Sequence, residues 1–138
     1  MYSINDIKVM QKEAKALQLN VDPAFLSWKW QKLQKVCNGV GAEAWPEELR
    51  EKISEIFSDY RTAYADHDVA YTTHAVPKFA ADKRMLKNSL VIWKNRWGFW
   101  RFFRPKARAE RVLLLAAYAA VKVGGLKAWE EAVKCQKG

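Results

Sequence analysis

The chain has 138 residues, of which half are apolar and seven are tryptophan, with only six glycines and four prolines. This composition excludes a disordered protein and favours one compact domain over residues 1–138. Two cysteines, Cys37 and Cys135, are too few for a disulfide framework and lack the spacing of a CxxC metal site; the sequence does not decide whether they pair.

The sequence also argues against export and against membrane spans. Residues 1–19 lack the charged, apolar and small-residue regions of a secretory signal. The longest apolar run, residues 112–121, falls short of the roughly 20 residues that a transmembrane helix needs. We therefore expect a cytoplasmic protein, or one delivered as a component of a virion or as an effector.

Apolar residues recur with a helical period along the chain, and strand patterns are nearly absent. We expect an all-α domain of six to seven helices around an antiparallel helix pair, with a glycine-containing loop. The predicted elements, in chain order, are helices over about 4–18 (capped by Ser3), 22–36 (opened by Asp22 and Pro23) and from Pro46; the loop 37–45; helices over about 59–72 and 77–97; a break at 97–105; a helix from Pro105 to Gly124; and a short last helix over 126–134.

The predicted helix over 59–72 carries nearly all its titratable side chains on one face. At 100° per residue, these side chains fall within about 80 to 100° of one another, while Ala63, Val69 and Ala70 lie on other sides. The members of this face are Tyr60, Tyr64, His67, Asp68 and Tyr71. Small residues beside it would let a neighbouring helix approach closely.

Asp82 is predicted to lie inside the apolar stripe of the next helix, which reads Phe79, Leu86, Leu90 and Trp93. A buried carboxylate without a partner costs several kcal/mol, so Asp82 needs a donor. His67 is the natural candidate, because a carboxylate that holds one imidazole nitrogen leaves the other to take a proton from water. The alternatives are a structural histidine and an Asp82 paired with an arginine.

Three stretches in order resemble the calcium-dependent phospholipase A2 superfamily, particularly its disulfide-poor viral and prokaryotic branches. They are "CNGVGA" at 37–42, "HDVAY" at 67–71 and "FAADKRML" at 79–86, and they place a phospholipase A2-like core at about 37–97. The HDxxY pattern alone is short, whereas the ordered trio is more specific. The chain lacks the cysteines that the secreted enzymes carry in and beside these motifs.

The resemblance implies a hydrolase that cleaves the sn-2 ester of phospholipids. His67 would be the general base that activates water, Asp82 its orienting partner, and Tyr71 a support of that pair through its hydroxyl. Ca²⁺ would be the cofactor, with ligands from the Asp68 carboxylate and from the loop carbonyls of Asn38, Gly39 and Gly41. Hard oxygen donors and glycine-rich turns suit Ca²⁺.

One stretch alone accounts for the net charge of +9: residues 83–111 hold ten lysines or arginines against one acid, Glu110. Such a stretch indicates an anionic partner. Within it, bases alternate with aromatic residues that suit an anionic phospholipid surface. The predicted membrane-interface residues are Trp97, Phe99, Trp100, Arg101, Phe102, Phe103 and Arg104. We expect at least half of this segment to lie in the core and two or three of its aromatics to be exposed.

The sequence thus supports two functions of different classes. The first is a calcium-dependent phospholipase A2-like hydrolase, phage-associated or a bacterial effector. The alternative is a non-enzymatic basic helical protein that binds nucleic acid or an anionic membrane surface. A metal phosphohydrolase built on the "HD" pair is a distant third, because it needs further histidines ahead of the pair and the only other one, His74, follows it.

Overall fold

The computed structural model describes the backbone of residues 2–37 and 47–137 and the side chains of residues 2–37 and 58–132. In these ranges the protein is helical and contains no β-strand, so the expected all-α class is confirmed. The helices are α1 Ile4–Ala16, α2 Pro23–Ser27, α3 Trp30–Val36, α4 Glu47–Thr73, α5 Lys78–Trp97, a 3-10 turn Gly98–Phe102, α6 Pro105–Gly124 and α7 Leu126–Lys137.

Local capping explains where several helices begin. The Ser3 side chain accepts the Asp6 N–H at 3.0 Å, and the Asp6 carboxylate accepts the Ser3 N–H at 2.8 Å, which completes a capping box at α1. Asp22 caps α2, with Pro23 in the first turn. These starts agree with the sequence prediction because they depend only on neighbouring residues.

Two predicted helix boundaries are wrong. The helix expected over 22–36 is divided, because Trp28 and Lys29 have extended backbones with ψ of 150° and 142°. The helices expected from Pro46 and from Asp59 form one helix, α4. No glycine or proline stands between positions 46 and 77 to end a helix there, so α4 continues until His74, whose φ is 51°.

The helices α4 and α5 form the expected antiparallel pair. Tyr71, near the end of α4, contacts Asp82 near the start of α5 at 2.6 Å, whereas Asp59 lies 3.2 Å from Arg96 near the end of α5. Residue numbers therefore rise along one helix as they fall along the other. The helix α4 also packs against α1, α2, α3, α6 and α7, so it is the central helix of the fold.

Burial on the central pair agrees with the sequence prediction on α4 and departs from it at one position on α5. Ala63, Val69 and Ala70 are fully buried, because other helices cover the sides of α4 that α5 leaves open. On α5, Asp82 is buried as expected, but Phe79 is 59% exposed. Phe79 lies about 200° around the helix from the buried Ala81, on the solvent side.

The helix α6 runs back along α5. Near the 3-10 turn, the Trp93 indole donates to the Ala107 carbonyl at 2.7 Å, and at the other end the Lys78 ammonium donates to the Val121 carbonyl at 3.1 Å. α6 is therefore antiparallel to α5, and its C-terminal end lies beside the start of α5.

Gly125, between α6 and α7, allows a close approach to α4. A Cβ atom there would lie 2.5 Å from the Val121 carbonyl oxygen and 2.7 Å from the Tyr71 hydroxyl. Gly125 has an ordinary φ of −82°, which any residue can adopt. Glycine is favoured here because a side chain would collide with these two atoms. A Cβ atom on the preceding Gly124 would meet nothing within 4 Å.

We therefore expect Gly125→Ala to destabilise the fold by about 1–3 kcal/mol, because the new methyl group forces a shift in a packed region. Gly124→Ala is the matched control, and alanine at this helical position should be neutral or stabilising by up to ~1 kcal/mol. Urea unfolding of both variants measures the difference. Equal stability of the two variants would contradict the packing.

Candidate active site

The structure brings the three predicted catalytic side chains into one buried cluster. His67 Nε2 lies 2.7 Å from Asp82 Oδ1, and the Tyr71 hydroxyl donates to the same oxygen at 2.6 Å. His67 and Asp82 are each 1% exposed and Tyr71 is 5% exposed. The expected contact between His67 and Asp82 is therefore present, away from bulk water.

Helix spacing explains how α4 presents two of these groups. His67 and Tyr71 are four residues apart, so they lie one turn apart on the same side of the helix. Their ring centroids are 4.1 Å apart at an interplanar angle of 44°. Both rings reach Asp82 across the interface with α5.

Lys78 is a member of the cluster that the sequence prediction missed. Its ammonium donates to Asp82 Oδ2 at 2.6 Å, so both oxygens of the buried carboxylate have partners. The spacing of four residues between Lys78 and Asp82 on α5 is the signal that could have identified the pair. A paired positive charge offsets part of the cost of burying the carboxylate.

The protonation states follow from burial and hydrogen bonding. Burial opposes ionisation of Asp82, but hydrogen bonds from His67, Lys78 and Tyr71 outweigh it and hold the pKa of Asp82 below its ordinary value. Burial lowers the pKa of His67, and the neighbouring Asp82 offsets this only in part. Asp82 is therefore ionised and His67 is neutral at pH 7, with the imidazole proton on Nε2, where it is donated to Asp82.

The second imidazole nitrogen of His67 has no hydrogen-bond partner among the described residues. Nδ1 is buried and accepts nothing from the described residues, whereas nearly all buried polar atoms in proteins are paired. With the proton on Nε2, Nδ1 carries a free lone pair. A neutral imidazole held by a carboxylate is the arrangement of a general base.

The side chains of α7 cover this cluster from another side. Trp129 meets the Tyr71 ring edge-on with centroids 5.0 Å apart, and it stacks on the His74 ring at 3.6 Å. His74 Nε2 also lies 3.1 Å from the Trp129 carbonyl oxygen. His74 thus contacts α7, and sequence spacing gave no indication of the Trp129 contacts.

Asp68, the predicted calcium ligand, follows His67 on α4. Asp68 is partly buried. Burial of the Cys37 thiol raises its pKa above the ordinary range, and the negative charge of Asp68 raises it further. Burial of the Tyr2 hydroxyl, together with the negative charge of Asp68, raises the pKa of Tyr2 to about 12. Asp68 therefore lies near Cys37, the residue from which the chain enters the predicted calcium loop.

The three predicted loop ligands, Asn38, Gly39 and Gly41, lie outside the described residues. Among the described residues, no group of three or more histidine, cysteine, aspartate or glutamate side chains is arranged to hold a metal ion. Cys37 is a buried free thiol 3.5 Å from the Ala65 carbonyl oxygen, and the side chain of Cys135 is outside the described part.

A second buried carboxylate, Asp66, has a different environment. It accepts the Asp22 N–H at 2.6 Å and pairs with Arg84 at 3.1 Å. Burial raises the pKa of Asp66 to about 6, although Arg84 opposes this shift. The alternative pairing of Asp82 with an arginine is thus not observed, because Arg84 contacts Asp66 and Lys78 contacts Asp82.

The basic and aromatic segment at residues 93–111 divides into a packed part and an exposed part. Trp97, predicted as a membrane-interface residue, is half-buried, and its indole donates to Glu110 at 2.5 Å. Glu110 is itself buried and accepts the Tyr60 hydroxyl at 2.9 Å. Trp97 therefore belongs to the packing between helices.

Four aromatics of the segment are exposed, not two or three. Gly98, with a φ of 55°, turns the chain out of α5 into the 3-10 turn. The exposed side chains, each between 58% and 68% accessible, are Phe99, Trp100, Phe102 and Phe103. Arg101 lies over the Phe102 ring at 4.4 Å and Arg104 over the Trp100 ring at 5.7 Å.

Comparison with protein-family models, curated proteins and solved structures gives no match to this chain. The resemblance to phospholipase A2 enzymes therefore rests on the three sequence motifs alone. None of the described helices alone is long and apolar enough to cross a membrane.

The protonation of His67 can be tested directly. We expect the imidazole resonances of His67 in NMR to titrate with a pKa below the ordinary 6.5, because burial disfavours the charged form. Lys78→Gln should raise this pKa, since the Lys78 charge helps to lower it. Lys83→Gln, which removes an exposed lysine on the same helix, should leave it unchanged. A His67 pKa above 6.5 would contradict the assignment.

The same shift predicts how stability depends on pH. Below pH 6.5, His67 is protonated in the unfolded chain but stays neutral in the folded protein. The unfolded state therefore binds more protons, and the contribution of His67 to stability decreases as pH falls through 6.5. Asp66 acts with the opposite sign between about pH 6 and 3.8, because its pKa is raised in the folded state. His67→Gln should remove only the first effect, up to about 1.4 kcal/mol per pH unit. Unfolding free energies of both proteins across this range measure the difference, and parallel curves would contradict it.

Proposed function

We propose that this protein is a phospholipase A2-like hydrolase that cleaves the sn-2 ester of phospholipids, with Ca²⁺ as its cofactor. The observation that carries the proposal is the 2.7 Å contact between His67 Nε2 and Asp82 Oδ1, together with the unpartnered Nδ1 on the same ring. The residues of this pair occupy the positions that the HDxxY and AD motifs assign to a base and its orienting carboxylate.

The chemistry follows from the protonation states. The Nδ1 lone pair of neutral His67 takes a proton from water as the water oxygen attacks the ester carbonyl carbon. Asp82 stabilises the imidazolium that forms. When the bond from the carbonyl carbon to the glycerol oxygen breaks, the Nδ1 proton passes to that oxygen, so a fatty acid and a lysophospholipid leave and His67 is neutral again.

Lys78 and Tyr71 act on Asp82 in this scheme and do not touch the substrate. Their hydrogen bonds hold the carboxylate in one orientation, so the Nδ1 side of the imidazole keeps a fixed direction. Because Lys78 lowers the pKa of His67, it also keeps the base unprotonated under mildly acidic conditions. These two residues are therefore positioning residues.

The donor set at Asp68 is compatible with calcium. Asp68 provides a hard carboxylate next to the start of the glycine-containing loop, and the carbonyls of Asn38, Gly39 and Gly41 would complete the ligand set. Bound Ca²⁺ would polarise the ester carbonyl and stabilise the oxyanion.

Water and the ester must reach Nδ1, which is buried in this structure. The proposal therefore requires a movement that opens the site. The Tyr71 ring packs against the His67 ring, and Trp129 of α7 packs against Tyr71.

The activity is tested with a phospholipid labelled in its sn-2 acyl chain, in the presence of Ca²⁺ or of a chelator. We expect the wild type to release the labelled fatty acid only with Ca²⁺. His67→Gln should lower the rate by about 10²- to 10⁴-fold, the usual contribution of a general base. Asp68→Asn should raise the Ca²⁺ concentration required.

The second histidine supplies the control. His74→Asn should retain activity, because His74 is outside the cluster and asparagine tolerates its positive φ. Near-ultraviolet circular dichroism of each variant verifies the fold. Absence of calcium-dependent release by the wild type, or full release by His67→Gln, would refute the proposal.

A non-enzymatic role in binding an anionic partner is the second candidate function. It is favoured by the four exposed aromatics and the arginines over their rings in residues 98–104. Nucleic acid and an anionic membrane surface both suit a basic aromatic segment. Retention of this binding by His67→Gln would separate it from hydrolysis.

A further inference from the structure

The helix α6 has two apolar faces, and only one of them packs in the core. The core face comprises Ala107, Leu114, Ala117 and Val121, with Glu110 among them. The opposite face, here named the α6 stripe, comprises the exposed residues Val112, Leu115, Ala116, Ala119 and Val123. At 100° per residue the stripe covers an arc of about 100°, centred opposite the core face.

Exposure along the stripe is high. Val112 is 63% exposed and Val123 is 86% exposed, and Leu126 at the start of α7 is 56% exposed. The four exposed aromatics of residues 99–103, here named the aromatic turn, precede α6, and the 3-10 turn packs against α6. The aromatic turn and the stripe thus extend an exposed apolar surface along α6, and surfaces of this kind mark interaction sites.

The charges around this surface have one sign. Between residues 98 and 129 the only acid is Glu110, which is 5% exposed and bonded to Tyr60 and Trp97. The exposed bases of the same segment are Arg104, Lys106, Arg108, Arg111, Lys122 and Lys127. The α6 surface therefore offers apolar side chains surrounded by positive charge.

We propose that the aromatic turn and the α6 stripe form a docking surface for an anionic lipid bilayer, with α6 lying parallel to the membrane plane. Aliphatic side chains suit the acyl boundary, aromatic rings suit the headgroup level, and bases are attracted to anionic lipid. Because the core face of α6 packs on α5 and carries Glu110, the helix lies on the bilayer and does not cross it.

The other occupants fit this surface less well. Nucleic acid would engage the bases and the aromatic rings, but it offers no apolar phase for Val112, Val123 and Leu126. A second copy of the chain would cover the stripe but would place like charges opposite each other across a two-fold axis. An anionic bilayer matches the aliphatic, aromatic and basic components together.

This inference does not depend on hydrolysis at His67. Docking is measured by flotation with vesicles of phosphatidylcholine mixed with phosphatidylserine, and with vesicles of phosphatidylcholine alone. A chelator is present throughout, so that calcium-dependent cleavage does not alter the lipid. We expect the wild type and His67→Gln to float with the mixed vesicles, and to bind phosphatidylcholine alone much more weakly.

Matched variants locate the surface. Val112→Asp and Val123→Asp, each by itself, should weaken vesicle binding about tenfold or more, because a negative charge replaces an apolar side chain that enters the bilayer on docking. Val9→Asp on α1, where valine is 46% exposed, makes the same change elsewhere and should bind as the wild type does. Arg111→Gln and Lys122→Gln should each weaken binding about fivefold.

Several outcomes would overturn the inference. One is a wild type that does not float with mixed vesicles, and another is equal binding by Val123→Asp and Val9→Asp. Binding to a single-stranded oligonucleotide without binding to vesicles would identify nucleic acid as the partner. Sedimentation that shows a dimer broken by Val123→Asp, without vesicle binding, would identify a second copy. Vesicle docking without fatty acid release would refute the proposed hydrolase but not the docking surface. Fatty acid release without vesicle docking would refute the docking surface but not the hydrolase.

Discussion

The buried carboxylate of Asp82 determines how four helices meet. Taking a carboxylate out of water is expensive unless its oxygens are hydrogen-bonded and its charge is paired. Here His67 and Tyr71 of α4 and Lys78 of α5 provide these partners. Lys78 also bonds a carbonyl of α6, and the Tyr71 ring contacts α7. A displacement of any of these helices would leave the buried charge with fewer partners, so the cluster favours one arrangement of the bundle.

Four buried carboxylates lie on α4 or are bonded to it, and their hydrogen-bond partners differ. Glu110 accepts from a phenol and an indole, Asp66 from a backbone N–H and an arginine, and Asp22 from a backbone N–H and the Thr73 hydroxyl. None of these donors can take up a proton at neutral pH. Asp82 alone among the four is bonded to an imidazole, and the second nitrogen of that imidazole has no partner among the described residues. Arg84, the partner of Asp66, also has a buried nitrogen without a partner, but a guanidinium has no free lone pair to accept a proton. The cluster at Asp82 is therefore the one of these sites that offers a base.

The predictable features depend on nearby residues or on a single large cost. Ser3 and Asp22 cap helices through local contacts, and the pairing of His67 with Asp82 follows because a buried carboxylate needs a donor. The break at Trp28 and the contacts of Trp129 depend on helices that meet only in the folded chain. The apolar stripe predicted on α5 included Phe79, but the face that packs is centred on Ala81, Met85 and Ile92, which leaves Phe79 in solvent.

The α6 stripe and the cluster at Asp82 lie on opposite sides of the same helix. Val121 of α6 contacts Lys78, while Val123, two residues later, is the most exposed large apolar residue described. If both proposals hold, a docked molecule has the C-terminal end of α6 between the lipid and the base, since packed helices are about 8–10 Å apart. A phospholipid would then approach His67 around this end, where Gly125 meets Tyr71 and α7 begins. Trp129 of α7 packs on Tyr71, so a movement of α7 would uncover the Tyr71 side of the cluster.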